Sequence, residues 1–324
     1  MKTQRRPSAR TLLTFLLGCA LAAPLSWAAG PVTEIVVFGD SLSDSGNAFA
    51  LQKENNVPPN YSVNPLLIPD DAYARGGHRF SNGPTWAEQF GKSLGLATDV
   101  SPAFRDANPR ATNYAVGGAR ARDDGGTSIN LPIQVKVFLQ DFGGHAPADA
   151  LYVIEVGGND MRDALAAVGA MPPQDPAPII AGAVGSIAAN IMTLYQAGAR
   201  KFLVWNAANI GLTPAVRSLG QGAVFVGGLL SGKFNVALSA TLTNLEALLP
   251  NSMIVPFDLH MTLDTIHGNP SAYGLSNVTD ACISPDDPPF VCRNPDTFLF
   301  WDGIHPTTAA HGILAQAVTQ TLGQ

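Results

Sequence analysis

Near the amino end of this 324-residue chain, Val36-Val37-Phe38-Gly39-Asp40-Ser41-Leu42 carries an apolar, β-branched run into small polar residues. The pattern reads as a buried strand ending in a turn, with Gly39 letting the backbone bend so that the Ser41 hydroxyl stands at the strand tip. A serine hydroxyl is a weak nucleophile until a base takes its proton. Asp302-Gly303-Ile304-His305-Pro306, near the other end, supplies such a base. Imidazole is the side chain best suited to shuttle a proton near neutral pH. A carboxylate three residues earlier can hold its Nδ1 and leave Nε2 facing the serine, while Pro306 stiffens the turn. Taken singly, Ser41 also reads as a helix cap and His305 as a surface residue. Taken together they read as the hydroxyl, base and carboxylate of an acyl-transfer centre.

These groups must be brought together by the elements between them. Five short apolar runs, at residues 32–38, 112–116, 151–156, 201–206 and 252–257, read as buried parallel strands. Helix-like stretches at 84–94, 178–197, 231–249 and 307–322 lie between or after them. Alternation at this spacing predicts an α/β fold with helices on both faces of the sheet. In open parallel sheets, sites form beyond the carboxyl ends of the strands. Ser41 follows the first run, Gly117-Gly118 the second and Asn159 the third, and Asp302 and His305 precede the last helix. Connections at 54–80, 211–230 and 269–298 read as long loops walling one crevice. The glycine-rich 220–232 reads either as an apolar wall or as an extension of the next helix.

The amino terminus reads as a signal peptide over residues 1–28, followed by one domain over 29–324. Lys2, Arg5, Arg6 and Arg10 precede an apolar run, and Ser26-Trp27-Ala28 is a small-x-small cleavage site. The alternatives are an N-terminal helix packed on the domain, and lipoprotein processing at Cys19 after Leu16-Leu17-Gly18. No later segment reads as a bilayer span. Losing four basic residues lowers Lys+Arg from 19 to 15 against 25 Asp+Glu, a balance of −10. So acidic a domain argues against nucleic acid, anionic membranes and acidic substrates as partners, and a neutral ester fits better. Cys282 and Cys292 then remain as an even pair in an exported chain, which suggests a disulfide rather than a metal site.

The motifs resemble those of the GDSL esterases and lipases of the SGNH hydrolase superfamily. The nucleophile block is Gly39–Leu42, and the glycine block is Asn113-Tyr114-Ala115-Val116-Gly117-Gly118-Ala119. Gly157-Gly158-Asn159-Asp160 and Asp302–Pro306 follow in order, and Arg79-Phe80-Ser81-Asn82-Gly83-Pro84-Thr85-Trp86 resembles a stretch of the longer members. The resemblance implies a three-layer α/β/α fold with a flavodoxin-like, five-stranded parallel sheet. It implies an exported esterase, periplasmic or secreted, acting on a small-molecule or lipid ester without cofactor or metal. Ser41 would attack, His305 act as base then acid, and Asp302 orient it. The oxyanion hole would use the N–H groups of Ser41 and Gly118, with Gly117 as the alternative, and the Asn159 amide. Asn159 also reads as a helix cap.

Three other readings stand beside this one. The same acyl-enzyme could pass its acyl group to an alcohol. Asp40, Asp44, Asp302 and His305 could instead be metal ligands of a phosphoesterase. The fold could serve as a non-catalytic binding protein. The motifs specify neither acyl length, head group nor oligomeric state. His78, His145, His260, His267 and His311 read as structural, Asp40 and Asp44 as holding the nucleophile turn, and Trp86 and Trp301 as core or wall residues.

Overall fold

The computed structural model describes residues 32–51, 69, 72–73, 77–105, 110–283 and 291–324. The expected leader with Cys19, and most of the 54–80 connection, lie outside the described residues.

In chain order the main elements are β1 (Ile35–Gly39), α1 (Asn47–Leu51), α2 (Trp86–Ser93), α3 (Leu131–Asp141), β2 (Leu151–Glu155), α4 (Gly158–Gly169), α5 (Ala177–Ala197) and β3 (Lys201–Trp205). Then come α6 (Pro214–Ser218), α7 (Gln221–Leu248), β4 (Met253–Phe257), α8 (Leu259–Gly268), β5 (Asn277–Ala281), β6 (Phe298–Phe300) and α9 (Thr308–Leu322). Strands β1 to β4 form one parallel sheet in that order, and β5 pairs with β6. Successive strand residues face opposite sides, which divides the core in two. Val36, Phe38, Tyr152, Ile154, Phe202 and Val204 pack under α3, α4, α5 and α7. Ile35, Val37, Leu151, Val153, Leu203 and Trp205 pack under α2, α8 and α9. The fold is therefore a three-layer α/β/α sandwich.

The sheet differs from the expected five strands at its β1 edge. Residues 112–116 do lie along β1, joined through a parallel bridge between Val37 and Asn113. Val37 N–H donates to Thr112 O at 3.0 Å, Tyr114 N–H to Val37 O at 2.7 Å, and Val116 N–H to Gly39 O at 3.2 Å. The ladder is interrupted because the Gly39 N–H goes elsewhere, to Gln134 Oε1 of α3 at 2.9 Å. Gln134 Nε2 returns a bond to Gly39 O at 2.8 Å. A side-chain amide thus replaces part of the missing strand pairing at the tip that carries Ser41.

Gly39 serves close approach, not the sharp bend expected of it. It pairs in register with Glu155 of β2, and a Cβ at this position would lie 2.7 Å from Glu155 O.

The expected loop at 211–230 is also corrected: it holds α6 and the first turns of α7. Its glycines let α7 pack against the preceding turn. A Cβ on Gly227 would meet Ile210 Cγ1 at 3.2 Å and Gly211 N at 3.3 Å. Nor does the expectation about membrane spans hold as stated, since α5 and α7 are both long and apolar enough by length and composition. Ala and Gly make up much of both helices. Each lays one side on the sheet, α5 through Ile187, Ile191 and Leu194 and α7 through Leu230, Phe234 and Leu238.

Candidate active site

Beyond Gly39 the chain makes one tight turn, with Ser43 N–H and Asp44 N–H both donating to Asp40 O, at 3.2 and 3.0 Å. Two carboxylates hold this turn, as the sequence suggests. Asp40 Oδ1 accepts from Leu42 N–H at 3.1 Å. Asp44 Oδ1 accepts from Gly46 and Asn47 N–H at 2.7 and 2.6 Å. Its Oδ2 accepts from Ala48 and Gly117 N–H at 3.0 and 2.8 Å. Burial pushes both carboxyls up to about 6, with these N–H donors pulling the other way.

The carboxyl-terminal motif meets this turn. His305 Nε2 lies 2.9 Å from Ser41 Oγ, and His305 Nδ1 lies 2.7 Å from Asp302 Oδ2. All three side chains are buried. Asp302 Oδ1 accepts from Ile304 and His305 N–H at 2.9 and 2.8 Å, so the carboxylate folds its own turn as well as facing the ring. Thr307 caps α9 immediately after, accepting from Ala310 N–H at 3.2 Å. The Arg79–Trp86 stretch braces this turn from outside. The Phe80 ring lies 5.2 Å from that of His305, Ser81 Oγ donates to Pro306 O at 2.8 Å, and Asn82 Oδ1 accepts from Thr308 N–H at 2.8 Å.

A cavity of about 70 Å³ opens over Ser41, with Leu42, Ala208, Ile210 and Ile304 as its apolar lining and Asn159 and Arg162 among its polar lining. Asn159 does not cap α4, whose cap position is Gly157. Its Nδ2 donates to Ala119 O at 2.9 Å and lies 3.4 Å from Asp40 Oδ2. The two glycines of the glycine block are placed differently. Gly117 N–H is engaged by Asp44, whereas Gly118 N–H meets no acceptor among the described residues. Gly118 is exposed, has φ +79°, and lies outside the cavity wall.

The family described as GDSL-like Lipase/Acylhydrolase matches residues 35–318. The chain belongs to this family. Among its relatives, one GDSL esterase/lipase of Arabidopsis thaliana is 30% identical, over 86% of this chain and 82% of its own length. A second from the same plant is 28% identical, over 93% of this chain and 92% of its own length. A third is 27% identical, over 95% and 96%. As a member of the GDSL family, the protein is a carboxylic ester hydrolase.

Around this GDSL site stand four residues that the motifs do not announce. Tyr73 donates its hydroxyl to Asp302 Oδ2 at 2.8 Å, and Gln134 grips Gly39 as described. Glu155, at the end of β2, accepts from Ser43 Oγ at 2.7 Å, and Ser43 Oγ in turn accepts from Trp86 Nε1 at 3.0 Å. Burial, and then the neighbouring Asp40 carboxylate, push Glu155 well above the usual range. Arg162 lies one turn along α4 from Asn159. Their signals in the sequence are a tyrosine in a long connection and polar residues in or ending apolar elements, none with a diagnostic spacing.

The remaining expectations divide. Cys282 and Cys292 lie at disulfide distance, with Cα atoms 5.5 Å apart. Trp86 is a core residue whose ring lies tilted against that of Trp205, and Trp301 packs with Tyr73 and Ile283. Of the histidines, His260 Nδ1 meets the Asn235 amide at 3.2 Å, His78 lies on the Phe49 ring, and His311 is buried in α9.

Proposed function

We propose that the chain hydrolyses carboxylic esters by an acyl-enzyme route in which Ser41 is the nucleophile, His305 the general base and then acid, and Asp302 the carboxylate that orients the ring. One observation carries this reading: an unbroken chain of contacts from Ser41 Oγ to His305 Nε2 at 2.9 Å and from His305 Nδ1 to Asp302 Oδ2 at 2.7 Å. Proton transfer needs that reach. The oxyanion would be received by the N–H groups of Ser41 and Gly118 and by Asn159 Nδ2. In favour of Gly118 over Gly117 is the commitment of the Gly117 N–H to Asp44. The metal-ligand reading fits less well, because both oxygens of Asp44 already face N–H donors.

We also propose a leader over 1–28, export, and a single hydrolase domain over 29–324 bridged between Cys282 and Cys292.

A serine-directed phosphonate tests the mechanism. It should label Ser41, as read by peptide mass spectrometry, and Ser41→Ala should abolish turnover with an unchanged melting curve. Turnover retained by Ser41→Ala would remove the proposal. A panel of p-nitrophenyl esters of graded length reads the acyl preference through kcat/KM. Amino-terminal sequencing of exported protein should begin at Ala29.

A further inference from the structure

Arg162 stands in the wall of the cavity over Ser41, three residues after Asn159 on α4. Its Nη1 donates to Asn159 Oδ1 at 2.9 Å. Among the described residues it forms no ion pair, and the Asp160 and Asp163 carboxylates on the same helix are engaged by other cations. Arg120 and Arg122 each reach Asp163 Oδ2 at 2.6 Å, and Arg122 also reaches Asp160 at 2.7 Å. Burial draws the Arg162 guanidinium down from its ordinary value, while Asp163, Asp40 and Asp302 pull it up. A cation is thus held at the cavity wall with one directed contact, and that contact is to the amide of Asn159, which lines the same cavity as Ser41.

The chemistry of the two groups gives the contact a direction. A guanidinium carries only donors, whereas an asparagine side chain has one accepting oxygen and one donating nitrogen. The bond therefore fixes Oδ1 toward Arg162 and Nδ2 toward Ala119 O and Asp40. The opposite orientation would set donor against donor. One Nδ2 hydrogen is engaged at 2.9 Å by Ala119 O. The other has only the 3.4 Å contact to Asp40 Oδ2, at the weak end of hydrogen-bond geometry, and remains available to a stronger acceptor. A hydrogen bond from a cation to Oδ1 also polarises the amide and strengthens its N–H as a donor.

We propose that Arg162 is a positioning residue for ester hydrolysis, which through its bond to Asn159 Oδ1 orients and polarises the amide that receives the oxyanion. This rests on the reading of Asn159 given above. Arg162 acts from behind that amide, and its charge offsets the Asp40 carboxylate on the amide's other side. The benefit appears when negative charge develops on the substrate oxygen, so it belongs to kcat more than to KM.

The test is a mutant cycle on the full chain with a neutral substrate, p-nitrophenyl acetate, using Arg162→Met, Arg162→Lys, Asn159→Ala and the Asn159→Ala/Arg162→Met double variant. Arg162→Met should lower kcat about tenfold or more, short of the hundred- to thousand-fold typical of deleting an oxyanion donor, with KM within about twofold. Arg162→Lys, which still donates, should recover part of the loss. In the Asn159→Ala background Arg162→Met should change kcat by less than about twofold. Additive losses in the double variant, or a loss confined to KM, would overturn the inference; the latter, greatest on a monoester of a dicarboxylic acid, would make Arg162 a substrate-binding cation. If Asn159→Ala alone leaves kcat unchanged, the oxyanion reading of Asn159 falls as well. An Asn159 effect without coupling to Arg162 sinks only the present proposal.

Discussion

Tyr73 donates to Asp302 Oδ2 at 2.8 Å, the same oxygen that faces the His305 ring at 2.7 Å. With Ile304 and His305 N–H on Oδ1, the Asp302 carboxylate has four donors around it. This buried carboxylate is thereby held in one orientation. Tyr73→Phe removes one donor at a charged acceptor, a loss of about 1.5–3 kcal/mol. Melting temperature should fall. If the loss is felt at the transition state, kcat should drop by roughly ten- to a hundred-fold. A variant matching the wild type in both would show that Tyr73 only fills space.

Glu155→Gln should change how stability depends on pH. Burial, then the Asp40 carboxylate, raise Glu155 well above its ordinary value in the fold, so folding takes up a proton in the interval between the unfolded and folded values. The stability this group contributes is fully present at acid pH and is lost as pH rises toward the folded value. Gln keeps an oxygen for Ser43 Oγ and does not titrate. From pH 5 to 8 the melting temperature of the wild type should therefore decline relative to that of Glu155→Gln. Parallel curves would assign the pH dependence to other groups.

His311 pulls on the acid side. Burial, and then the charge of His305, lower it from 6.5 to about 3, and its buried Nδ1 has no hydrogen-bond partner among the described residues. Unfolded chain takes up this proton near pH 6.5 and folded chain does not, so stability is lost as pH falls below 6.5, by at most about 1.4 kcal/mol per pH unit. His311→Leu should show a shallower decline in melting temperature between pH 6 and 4. An unchanged slope would count against a neutral, buried imidazole.

Reduction should cost the protein about 2–3 kcal/mol, the loop-closure value for a bridge spanning so few residues. Cys282→Ser/Cys292→Ser should show the same lowered melting temperature with or without reductant. A wild type insensitive to reductant would mean that the two thiols stay apart.

How much of this was legible beforehand depended on whether the signal was local. Ser41, Asp302 and His305 stand in short blocks whose order survives any fold, and the alternating apolar runs fixed the layers. Gln134, Tyr73 and Arg162 carry no such pattern. Gln134 acts on a residue 95 positions away, and Tyr73 on one 229 positions away, so their roles exist only after tertiary folding. The 211–230 stretch reads as a loop because glycine marks loops in sequence, and the structure bears out the other reading of its glycine-rich part, an extension of the next helix from Gln221 onward. Here glycine instead lets α7 press against the Ile210 turn. The edge segment 112–116 looked like an ordinary strand, and only the Gln134 amide explains why its ladder is broken.

The separation of Ser41 from His305 by 264 residues has a consequence for biosynthesis. A ribosome-bound chain exposes its hydroxyl early, but the imidazole that would awaken it is among the last parts of the described fold to be made. On the mechanism proposed above, a half-built polypeptide holds the hydroxyl without its base, so activation of the serine waits for the carboxyl-terminal turn to be made and folded.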